Sequence, residues 1–185
     1  SEATAVLAGD AMQSLAIEII LKDDKLSNEL KVSIIKLLME KIGHKGMILG
    51  QALDINFEQE SVDKEQILQM NYLKTGLLIE FSILAPLMVA NKSQNKWNKI
   101  ARNIGVSFQL IDDLLDLEES EENLGKATNK DHLKNKKNLP LTLGRSETIT
   151  EIKKFHHETM ESFSKLSLNK HPLKIYVENL FNRRS

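Results

Sequence analysis

Three aspartates stand in a helix that is otherwise almost continuously apolar. From Ile104 to Leu117 the sequence reads IGVSFQLIDDLLDL. Asp112 and Asp116 are one turn apart and share a helix face, whereas Asp113 lies about 100° away on the wheel. Aspartate is a poor residue for a helix interior. An ionised carboxylate inside a core also carries a heavy desolvation cost unless something pairs with it. A hard divalent cation is such a partner: Mg²⁺ takes carboxylate oxygens, keeps several waters and bridges to substrate phosphates. The bland alternative is that these acids face water as the helix ends, beside Glu118 and Glu119. The Asp-Asp-x-x-Asp spacing, with Gln109 one turn earlier, favours the metal.

Other residues could serve the same chemistry. The acids Glu118, Glu119, Glu121 and Glu122 are followed by Lys126, Lys130, Lys134, Lys136 and Lys137. A carboxylate–metal site beside a lysine cluster suits a diphosphate, because lysine is a point charge for phosphate oxygens. A solvated charged loop is the commoner origin of such a run. Lys74-Thr75 interrupts an apolar stretch from Met70 to Leu84. It reads either as a phosphate contact or as a snorkelling lysine beside a structural threonine. Gln51 and Asp54 form a similar polar pair, most simply a buried hydrogen-bonded one. The histidines make no site: His156-His157 is expected on the exposed face of an amphipathic helix, and no HExxH spacing occurs.

The elements that must position these residues are helices. Leucine (28) far outnumbers valine (6), and Gly (8) and Pro (3) are few, a composition that favours helix over strand. Helices are expected at about 3–21, 28–42, 47–57, 64–90, 94–117, from Pro140, at 150–166 and at 172–181. Ser27 and Ser93 are candidate N-caps, and Asp63 with Gln66 forms a capping-box pattern. A kink is expected at Pro86 and a loop over 118–138. The 185 residues fit a single all-α domain with a sizeable core. A net charge of −1 argues against a nucleic-acid partner. No apolar run is expected to span a bilayer, so stable membrane insertion is not expected. With no cysteine there is no disulfide, thiolate nucleophile or Cys-bound zinc, which fits a cytoplasmic location.

Four blocks together carry a resemblance. They are Glu2-Ala3-Thr4-Ala5-Val6-Leu7-Ala8-Gly9-Asp10, Gly50-Gln51-Ala52-Leu53-Asp54, Lys74-Thr75-Gly76-Leu77-Leu78-Ile79, and Phe108-Gln109-Leu110-Ile111-Asp112-Asp113-Leu114-Leu115-Asp116 followed by Gly125-Lys126. In this order the chain resembles the trans-isoprenyl diphosphate synthases. That is the polyprenyl synthetase family, which includes farnesyl and geranylgeranyl diphosphate synthases, and the bacterial farnesyl type is most similar. The resemblance implies an isoprenoid-synthase helical bundle and a homodimer. It also implies a Mg²⁺-dependent, head-to-tail condensation of an allylic diphosphate (dimethylallyl or geranyl) with isopentenyl diphosphate. By the same resemblance, Asp112, Asp113 and Asp116 are the second aspartate-rich motif, which holds Mg²⁺. Lys74, Lys126 and Lys136 bind diphosphate, and Thr75 and Gln109 line the reacting centre. Gln51, Asp54 and Asp131 hydrogen-bond metal waters. Leu7, Ala8 and Met12 are candidates for the chain-elongation wall, and Arg183-Arg184 resembles a basic tail over the second substrate.

Two departures qualify the match. Asn138 stands where the family usually has Thr before Pro140. The first aspartate-rich motif, which the family places before the Glu-Ala-Thr-Ala block, does not occur. The resemblance therefore implies the C-terminal two-thirds or so of a synthase, inactive alone. Two rivals are a non-catalytic helical partner subunit and a class I terpene cyclase, although the cyclase's (N/D)DxxSxxxE motif does not occur.

Overall fold

A computed structural model describes residues 1–123, 137–168 and 170–182. Among these residues the secondary structure is helical, with no strand. The helices are α1 (Glu2–Lys22), α2 (Asn28–Ile42), α3 (Met47–Phe57), α4 (Lys64–Asn71), a π-helical turn (Tyr72–Gly76), α5 (Leu77–Val89), α6 (Asn95–Asn123), α7 (Leu139–Leu143), α8 (Arg145–Lys165) and α9 (Pro172–Phe181). Two of the three expected caps form; Ser93 does not cap α6, which begins at Asn95 with Gln94 in the cap position. The Ser27 side chain accepts the Leu30 amide. Asp63 and Gln66 exchange backbone and side-chain hydrogen bonds, each 2.9 Å long, in a complete capping box.

Three boundaries differ from expectation. Helix α6 runs on to Asn123 instead of ending near Leu117, because a glutamate-rich run is polar yet helix-favouring. Helix α8 begins at Arg145, directly after Gly144, whose φ of 89° is a conformation glycine tolerates best. The long helix from Lys64 to Val89 leaves regular α geometry at the π turn, well before Pro86, which sits in the final turn of α5.

Helix α6 is the axis of the bundle and packs on α5, the π turn and α8. Its Ile100, Ala101, Ile104 and Leu110 are buried with Ile67, Leu139, Phe163 and Val177. Trp97 meets Phe163 edge-on, with ring centres 6.3 Å apart. Lys64 pairs with Glu147 and Glu151 and so ties α4 to α8. Helix α1 is different. None of its residues is buried, and Val6, Leu7, Met12, Leu15 and Ile19 are exposed.

Two further expectations need correction. Two helical spans, Glu2–Lys22 and Lys64–Val89, do reach bilayer length, and each holds an 18-residue stretch, of mean hydropathy 1.4 and 1.5 respectively. Scattered charged residues break these stretches, so neither reads as one apolar run; core helices meet the same length and composition, and the spans do not indicate insertion. His156 is not exposed: its ring lies 4.5 Å from that of Phe181, and its Nε2 is buried without a hydrogen-bond partner.

That burial lowers the pKa of His156 below its usual 6.5, with His157 adding to the effect and Glu178 opposing it. The folded state therefore binds this proton less readily than the unfolded state. The stabilisation from the neutral ring is complete above the unfolded value and is lost as pH falls below it. Between about pH 7 and about pH 5, the melting temperature is expected to fall less in His156→Phe than in the wild type. Equal falls in both proteins would show that His156 does not carry this linkage.

Candidate active site

The π turn carries Lys74 and Thr75, and two helices press on its backbone. A Cβ on Gly50 of α3 would lie 2.2 Å from the Lys74 nitrogen. A Cβ on Gly105 of α6 would lie 2.5 Å from the Cα of Gly76. At both places only glycine permits so close an approach. The contacts bring short side chains into hydrogen-bond range across three elements.

Two polar connections result. Lys74 Nζ lies 2.6 Å from Asp54 Oδ2, which joins the π turn to α3. Thr75 Oγ1 donates to Gln109 Oε1 at 2.6 Å, and Gln109 Nε2 donates to Asp113 Oδ1 at 2.9 Å. Asn71 Nδ2 approaches the other oxygen of Asp113 at 3.5 Å. Asn71, Thr75, Gln109 and Asp113 thus form one chain between the π turn and α6. Asp113 is only 2% exposed, and the two amides are among the hydrogen-bond partners that a buried carboxylate requires.

The three aspartates consequently have different surroundings. Asp113 turns inward to the amides. Asp112 is half-buried and Asp116 is exposed, and their spacing puts them on one face. Among the described residues, no group of three or more His, Asp and Glu side chains converges on a point that could hold a metal. Two carboxylates one turn apart still suit Mg²⁺, which is commonly held by one or two carboxylates plus waters and substrate phosphate.

Beside Lys74 and Thr75 opens a largely apolar cavity of about 380 Å³. Ile79, Phe108, Tyr176 and Leu180 contribute to its wall. A second apolar hollow of about 560 Å³ lies between α1, α2 and α5, with Ile19, Leu38, Phe81 and Val89 on its sides. Leu7, Ala8 and Met12 line neither cavity.

The remaining expected residues fall as follows. Gln51 is exposed on α3, one turn before Asp54. Lys126, Asp131, Lys136, Arg183 and Arg184 lie outside the described residues. Asn138 caps α7, accepting the Leu141 amide at 3.0 Å. Sequence reasoning missed Asn71, Tyr72, Glu80 and Tyr176. Glu80, a lone acid in the apolar run Leu77–Leu84, carried the same signal that singled out Asp113.

The family model described as Polyprenyl synthetase matches residues 1–171. The chain belongs to the polyprenyl synthetase family. It is 30% identical to the farnesyl diphosphate synthase of Haemophilus influenzae over 100% of this chain and 64% of that protein. It is 31% identical to the geranylgeranyl diphosphate synthase of Cyanophora paradoxa, over 100% of this chain and 63% of the relative. A solved structure of Helicobacter pylori geranyltransferase complexed with magnesium and isoprenyl diphosphate superposes with a TM-score of 0.80 at 30% identity. That likeness covers 97% of this chain and 60% of the solved one. The chain thus spans somewhat under two-thirds of the length of these relatives. Within this polyprenyl synthetase bundle, three of the four blocks that carried the resemblance meet, on α3, the π turn and α6.

Because α3 rests on the π turn through Gly50, an added methyl there must move backbone. Gly50→Ala is expected to destabilise the fold by about 1–3 kcal/mol, the usual scale of overpacking. The measurement is the urea midpoint, and an unchanged midpoint would show that α3 can shift without cost.

Proposed function

We propose that the protein is a prenyltransferase that joins an allylic diphosphate, dimethylallyl or geranyl, to isopentenyl diphosphate and releases pyrophosphate. The observation that carries this reading is the meeting of a partly exposed lysine and a polar relay beside an apolar cavity, with two outward aspartates on the helix that supplies the relay's Gln109 and Asp113. Lys74, held by Asp54, supplies fixed positive charge to diphosphate oxygens. Asp112 and Asp116 would hold Mg²⁺, which when bound takes up charge on the departing diphosphate. Asp113 orients Gln109, and Gln109 orients Thr75, so that the hydroxyl faces the cavity in one direction. The apolar wall around Phe108, Ile79 and Leu180 accommodates the hydrocarbon chain and keeps water from the ionising carbon.

Further parts of the reading lie beyond these contacts. Lys126 and Lys136 are proposed to close over the diphosphate, and Asp131 and Gln51 to hydrogen-bond the metal's waters. A homodimer is proposed as the working state, supported by the apolar side chains that α1 leaves exposed.

The test is a radiolabel condensation assay on the full-length protein. Asp112→Ala is expected to lower kcat by about 10²–10³-fold, the scale of losing one group that stabilises developing charge, with the helical circular dichroism unchanged. Activity near that of the wild type would remove Asp112 from the metal site. No condensation by the full-length wild type would favour a non-catalytic partner subunit.

A further inference from the structure

Next to the π turn lies a second buried network, none of whose residues lines the cavity. The Tyr72 hydroxyl donates to Glu80 Oε2 at 2.6 Å. Lys41 of α2 donates to Glu80 Oε1, also at 2.6 Å. The guanidinium of Arg102, on α6, sits 4.4 Å above the centre of the Tyr72 ring. Glu80 is 5% exposed, so both of its oxygens are satisfied out of water. Nothing in this group touches the cavity or the aspartates, and the proposed reaction uses none of it.

The geometry of the Tyr72–Glu80 bond depends on the π turn. The two residues are eight positions apart. In a regular α-helix that spacing places them about 80° apart around the axis, at about 100° per residue. A π turn hydrogen-bonds to the fifth residue instead of the fourth and so absorbs one extra residue. The pair is thereby brought to the angular relation of residues seven apart, within about 20° of one face. The hydrogen bond thus fits this helix only while the extra residue stays between its two ends. Lys41 and Arg102 then fasten the same two side chains to α2 and α6.

We infer that Tyr72 and Glu80 form a latch that holds the π turn in register, making both positioning residues for Lys74 and Thr75. This rests on the diphosphate-binding reading of that site. Releasing the latch lets the extra residue migrate along the helix. Each residue of migration turns the intervening side chains by about 100°, which takes the Lys74 ammonium away from Asp54 and Thr75 away from Gln109. Tyr72→Phe removes only the hydroxyl. It keeps the ring under Arg102 and leaves Glu80 paired with Lys41.

The experiment is calorimetric binding of inorganic pyrophosphate in Mg²⁺ buffer to the full-length wild type, Tyr72→Phe, Lys74→Ala and the double variant. Tyr72→Phe is expected to weaken binding about 10-fold, the scale of losing an orienting hydrogen bond behind a ligating group. In the Lys74→Ala background the same change is expected to have no further effect, because the latch acts through Lys74. Unchanged affinity in Tyr72→Phe, or an equal loss in both backgrounds, overturns the inference. If the wild type binds no pyrophosphate, the diphosphate reading fails and the latch is judged by amide exchange. Faster exchange over 72–76 in Tyr72→Phe, with α8 unchanged, supports it; identical exchange overturns it.

Discussion

The site depends on how closely two helices, α3 and α6, approach the π turn. Where Gly50 faces Lys74 and Gly105 faces Gly76, backbones touch with no room for a methyl group. Such gaps let side chains as short as those of Asp54 and Thr75 meet partners on neighbouring elements. The glycines set how near the backbones come, and with it where those polar atoms meet.

Once direct contact is imposed, desolvation decides the rest. Each polar atom in the interior must find a partner or destabilise the fold. Asn71, Thr75, Gln109 and Asp113 are joined in one network, and Lys41, Tyr72 and Glu80 in another. The π turn is thus gripped by two hydrogen-bonded networks, and Lys74 ties it to α3 as well. Burial and the bond to Glu80 both raise the pKa of Tyr72 well above its usual value. Its hydroxyl stays a donor throughout the physiological range. Such a grip suits a segment that must present a charge and a hydroxyl at fixed positions.

Much of this was legible in the sequence, and the unreadable parts share a cause. Leucine periodicity and the capping pattern at Asp63 placed the helices within a few residues. The isolated polar residues Asp54, Lys74, Thr75, Gln109 and Asp113 were recognisable because charge and amide groups are costly in apolar helices. Periodicity could not reveal the π turn, because α5 after it (LLIEFSILAPLMV) is apolar on nearly every side and offers no stripe whose phase could be seen to shift. The inward turn of Asp113 was hidden because it depends on Asn71, 42 residues away in sequence. His156 was misread because α9, which covers it, makes no local pattern with α8. Polarity alone misplaced the end of α6, where glutamates that look like loop are good helix formers.

Helix α1 has a thermodynamic consequence of its own. Most helical stability in proteins comes from packing an apolar face, and this helix buries no residue of its own in the bundle. Its Val6, Leu7, Met12 and Leu15 stay exposed, so burial adds little to its order. Segments with few buried apolar contacts open locally at the smallest free-energy cost. Helix α1 therefore opens well before the core around α6, and the bundle has one short-lived and one long-lived side.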